Sequence, residues 1–189
     1  MGVKKIRNTE ENLIATRSAQ IKSFIKDVSA NKSIHPQRVA AGNNKIIFCV
    51  TDETKIVNIG QFDEHSKINS QFKTINNSFK ASYYEIWDKV IGTRMDFELK
   101  RIYFHLYLSD TEDEYILLHT DPSDIDLTHG DYKRSPHLHI KYSKDDIIPH
   151  AHLALNINYF DKALESLDEI TKCMANNIKM LSHQILQNH

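Results

Sequence analysis

Residues 96–156 alternate polar and apolar side chains so persistently that a half-buried antiparallel sheet is the natural way to accommodate them. In an extended strand, successive side chains point to opposite faces. Within Asp96–Leu108 (DFELKRIYFHLYL), Tyr103, His105 and Tyr107 share one face, and Ile102, Phe104, Leu106 and Leu108 take the other. In Glu114–His119 (EYILLH), His119 falls with Tyr115 and Leu117. The stretch Ser135–Asn156 (SPHLHIKYSKDDIIPHAHLALN) then carries two His-x-His pairs, His137/His139 and His150/His152, on either side of a polar break at Ser143–Pro149. His137, His139 and Lys141 oppose Leu138, Ile140 and Tyr142, while His150, His152 and Asn156 oppose Ala151, Leu153 and Leu155. One face of the predicted sheet is apolar and packs on helices. The other collects His, Tyr, Lys and Asn. A one-residue slip in any strand would send its histidines to the wrong face, so the site depends on register.

The rest of the chain supplies the helices. Asn8 and Glu11 have capping-box spacing, and Leu13, Ile14, Ile21, Phe24, Ile25 and Val28 follow at helical intervals, which predicts an amphipathic helix over residues 9–29 with Arg17, Lys22 and Lys26 toward solvent. Residues 31–44 read as loop, KIIFCV (45–50) and KIVNI (55–59) as a hairpin, and 61–80 as an ambiguous polar stretch. Ala81–Ile91 (ASYYEIWDKVI) reads as a helix stopped by Gly92. From about Tyr159 to Gln187, apolar positions at steps of three and four predict one long helix. Such a helix kinks near Ala175-Asn176-Asn177 or packs its far end on another chain. The fold class expected is α+β, a mostly antiparallel sheet packed on helices with a long C-terminal helix. The expected organisation is one globular domain over 1–189: N-terminal helix and hairpin in 1–60, His-rich sheet in 96–157, C-terminal helix in 159–187.

Composition excludes several classes. With 40% hydrophobic and 26% charged residues, the 189-residue chain is in the globular range, and a net charge of −1 provides no overall attraction to nucleic acid or membrane. Residues 1–50 hold nine Lys/Arg against three Asp/Glu, a basic bias that a solvated helix face explains. Cys49 and Cys173 form no CxxC pattern, which argues against a thiolate zinc site and fits a reducing cytoplasm. The N-terminus MGVKKIRNTEE has no apolar signal-peptide core, and no apolar run reaches the roughly 20 residues of a membrane helix. The expectation is a cytoplasmic protein without a membrane partner. There is no GxGxxG, Walker loop, HExxH or GxSxG motif. Glu98-x-Lys100, preceded by Asp96, is reminiscent of a nuclease triplet, but such triplets arise by chance in a chain with 25 acidic residues.

Seven of the eleven histidines lie between 105 and 152. Neutral imidazoles ligate zinc, iron, nickel or copper. The candidate ligands are His137, His139, His150 and His152, with zinc as the favoured metal; the Asp-rich loop 121–131, Asp121 first, supplies either a ligand carboxylate or the acceptors that orient each imidazole. Without metal, His137 and His139 would work as an acid/base pair, with His105 and His119 as auxiliaries and Lys141 as the anion stabiliser. Both routes lead to a small hydrolase or nuclease acting on a phosphodiester or nucleotide. The alternative is a non-catalytic module that forms a homodimer or binds a partner through the C-terminal helix. The bland reading is that the histidines line a solvated sheet face.

Overall fold

A computed structural model describes residues 5–40, 44–52, 71–111, 114–123, 134–140, 151–155 and 160–187. Among them nine strands form one antiparallel sheet: β1 (Arg7–Thr9), β2 (His35–Ala40), β3 (Lys45–Thr51), β4 (Gln71–Lys73), β5 (Phe79–Lys89), β6 (Asp96–Leu108), β7 (Glu114–Thr120), β8 (His137–Ile140) and β9 (Ala151–Ala154). The order is β2-β3-β5-β6-β7-β8-β9, with β4 added to β5 and β1 to β6. Helices pack on one face, so the architecture is α+β. The second strand of the expected hairpin, 55–59, and the break at 143–149 lie outside the described residues.

Residues 81–91 are not helical. They belong to β5, which pairs with β3 on one side and β6 on the other. A central strand is buried on both faces, so it reads as a near-continuous apolar run that periodicity cannot separate from a short helix. Tyr83, Glu85 and Trp87 face the helices; Tyr84 and Ile86 pack with Ile47 and Cys49 on the opposite face. Gly92 does stop the element, but as a turn residue at φ 85° between β5 and β6. Residues 35–40, read as loop, form β2.

The N-terminal helical run, α1, comprises Glu10–Asn12, a π-helical turn at Leu13–Arg17, and Ser18–Ile25. Thr9, not Asn8, caps it, accepting from the Asn12 amide at 3.3 Å. Arg17 is fully buried rather than solvent-facing. It lies four residues from both Leu13 and Ile21, inside the apolar stripe, where it meets Glu85. Arg17 Nε donates to Glu85 Oε2 at 2.8 Å, Trp87 Nε1 donates to the same oxygen at 3.1 Å, and Tyr83 donates to Oε1. Burial works against the guanidinium charge, but Glu85 and Tyr83 outweigh it and hold Arg17 protonated.

The C-terminal helix is broken at Leu164–Ser166, not near Ala175. A short α2 (Phe160–Ala163) precedes α3 (Leu167–Leu181), which ends in a π-helical turn, Ser182–Leu186. Ser166 caps α3 by accepting from the Glu169 amide at 3.2 Å. Ile170, Met174, Ile178 and Leu181 are buried in this chain's own core. Thr171 also accepts from Arg17 Nη1 at 2.7 Å, tying α3 to α1. No helix among the described residues is long and apolar enough to cross a membrane.

Candidate metal centre

The histidines meet because the strands align them in cross-strand rows. Tyr103 opposes His119 and His119 opposes His137 across β6, β7 and β8; in the next row His105 opposes Leu117 and Leu117 opposes His139. Directly opposed residues share a face. His119, His137 and His139 therefore converge on the sheet face away from the helices. That face is not fully solvated: His105 is 8% exposed, His119 6% and His137 0%, while His139 is half-buried.

One nitrogen from each of His119, His137 and His139 lies within 4.8 Å of the other two. His139 Nε2 is 3.2 Å from His137 Nε2 and makes a short contact with His119 Nε2. The far edge of one ring is hydrogen-bonded elsewhere, and a carboxylate stands near the far edge of a second. His137 Nδ1 lies 2.8 Å from the Ser135 carbonyl oxygen. A carbonyl can only accept, so Nδ1 donates, and a neutral His137 presents a lone pair at Nε2. His119 Nδ1 lies 3.4 Å from Asp121 Oδ2, and Asp121 Oδ1 lies 3.3 Å from Arg101 Nε. Backbone carbonyls and carboxylates at Nδ1 are the partners that orient metal-ligating imidazoles. Lone pairs facing one another in a buried site repel unless a proton or a cation lies between them. The donor set is three imidazoles without a carboxylate among the facing atoms, which fits zinc or a neighbouring transition metal and not magnesium or calcium.

His137 and His139 thus stand in the cluster, and its third member is His119, expected only as an auxiliary. Asp121 is not among the converging atoms. It follows His119 by two positions, shares its face, and approaches the ring from the Nδ1 edge. His105 lies one row away, with Nδ1 2.9 Å from Glu114 Oε2. The backbone of His152 opposes His139 in β9. His150, Lys141 and the acidic positions 124, 126 and 131 lie outside the described residues. The Glu98 carboxylate is held by Lys100 at 2.7 Å and by Lys5 and Arg7 at 3.4 Å, so the nuclease-like triplet is a salt-bridge cluster. Sequence reasoning missed Ser135, Arg101 and Glu114 as supporting groups. The i, i+2 spacing of Ser135 to His137 and of His119 to Asp121 was the available signal.

No protein-family model, curated protein or solved structure matches this chain. What defines the molecule is an antiparallel α+β fold with a cluster of two buried histidines and one half-buried one, close enough to bind a metal ion.

Proposed function

We propose that the protein is a metal-dependent hydrolase in which His119, His137 and His139 ligate a zinc-type ion, with a phosphodiester or nucleotide as substrate. The observation that carries this reading is the convergence of three imidazole nitrogens within 4.8 Å, with Ser135 and Asp121 behind two of the rings. Three protein ligands leave a tetrahedral ion one open position for water or substrate. Such an ion lowers the pKa of bound water to about 7 and polarises the bond to be cleaved. Arg101, its side chain 41% exposed and 3.3 Å from Asp121, places a guanidinium beside the centre and favours an anionic substrate. The partner-binding alternative is less well supported, because Ile170, Met174, Ile178 and Leu181 of the C-terminal helix are already buried within the chain.

The test is a titration of tag-free, chelator-stripped protein with Zn(II) and Co(II), followed by assay on bis(4-nitrophenyl) phosphate. One site per chain is expected, and His119→Ala, His137→Ala or His139→Ala should weaken it by at least about 100-fold. Hydrolysis should require the metal. Absence of binding would overturn the metal reading, and cleavage in chelator would replace it with a metal-free histidine acid/base pair.

A further inference from the structure

Resting on that hydrolase reading, we propose that His105, braced by Glu114, is the proton relay of the three-histidine centre. Water drawn to the centre must give up a proton to become a nucleophile. His119, His137 and His139 cannot take it, because their converging nitrogens are the proposed ligands. A separate base with a lone pair is needed on the same face.

His105 meets those conditions. Its Nδ1 lies 2.9 Å from Glu114 Oε2, the arrangement that fixes the Nδ1–H tautomer and leaves Nε2 as the basic nitrogen. Nε2 is buried and has no hydrogen-bond partner among the described residues. A buried polar atom left unsatisfied costs stability, so Nε2 is open to a partner beyond the described residues, and the relay assigns it a water. The residue is 8% exposed. It stands diagonal to His119 across β6 and β7, a position that puts their Cα atoms about 7–8 Å apart. Both rings stack on Tyr103, with centroids at 5.5 Å and 4.8 Å.

The step balances simply. The O–H bond of the water breaks, an N–H bond forms at His105 Nε2, and hydroxide remains as the nucleophile. Glu114 stabilises the resulting imidazolium, which then returns its proton to solvent. The titratable groups facing His105 among the described residues are Glu114 from β7 and Tyr84, Tyr103 and Tyr107 from β5 and β6, with Ser82 opposite on β5. Tyr107 does not compete as the base: burial pushes its hydroxyl up to about 12, with Ser82 pulling weakly the other way.

Zinc-loaded wild type, His105→Gln and Glu114→Gln decide the matter in three readouts: zinc affinity, the pH profile of bis(4-nitrophenyl) phosphate hydrolysis, and imidazole ¹⁵N spectra. His105→Gln should keep zinc affinity, which also certifies its fold, yet lose about 10²-fold or more in rate, with partial rescue by added imidazole. Glu114→Gln removes the negative charge that favours the imidazolium, so the acid limb of its profile should move to lower pH. The spectra of neutral His105 should show its proton on Nδ1, not Nε2. Unchanged rate and profile in His105→Gln, or a permanently protonated Nε2, would overturn the relay alone. Absence of turnover in the wild type would overturn the hydrolase reading and the relay with it.

Discussion

Arg17 and Glu85 carry the largest single-residue consequences in this fold. Both are fully buried, and the guanidinium makes hydrogen bonds of 2.5–3.1 Å to the carboxylate. Two charges removed from water are tolerated because each satisfies the other, with Tyr83 and Trp87 filling the remaining acceptor sites. Removing one partner strands the other. Arg17→Met should therefore cost about 3–5 kcal/mol by urea denaturation, whereas Arg17→Met with Glu85→Leu should recover most of that loss. A double variant as unstable as the single one would show that the network contributes net stability. The Arg17 charge reads as solvent-facing in the sequence, although Arg17 stands four residues from Leu13 and from Ile21, inside the apolar stripe. What the sequence could not show was its partner, because residues 81–91 read as a helix with an aromatic face.

At the scale of elements, α3 is set by its cap and its stripe. Ser166 accepts from the Glu169 amide, and Asp168 and Glu169 complement the helix dipole in the first turn. The segment Ser166-Leu167-Asp168-Glu169 is itself a capping-box pattern, so the break between α2 and α3 was legible though passed over. Ser166→Ala should cost about 1 kcal/mol without loss of fold. Met174→Asp is a different matter, because it buries a charge at a position with 0% exposure. We expect it to unfold the chain, at a cost of about 4–5 kcal/mol or more. If the variant instead stays folded and only changes its sedimentation, α3 holds a second chain and the dimer reading returns.

Across the whole molecule, the metal reading makes stability depend on zinc and on pH together. The converging atoms come from β7 and β8, brought together only in the folded sheet, so a metal bound there stabilises the native state. At free zinc about 100 times Kd the gain is about 2.7 kcal/mol, which should raise Tm by about 5–10 °C. Ligation needs neutral imidazoles, and protons compete for them. The gain should shrink as pH falls. Calorimetry with and without zinc at several pH values checks this. A zinc effect that does not weaken at all as pH falls would point away from imidazole ligands.

Alternation alone determined the α+β class, the faces over 102–107 and 116–119 and the collection of histidines on one of them, because side-chain parity in a strand is a local property; a register shift opposite Tyr107 is what turned Glu114 to the histidine face. Tertiary structure decided the rest. Whether 79–89 is strand or helix depended on having neighbours on both sides, which no local pattern reports. Which histidines meet depended on register between β6, β7 and β8, and that brought His119 into the cluster and set Asp121 at the Nδ1 edge of its ring. Burial, too, emerged only from the assembled sheet, and it separates a largely buried imidazole cluster from the solvated surface that the same residues would otherwise describe.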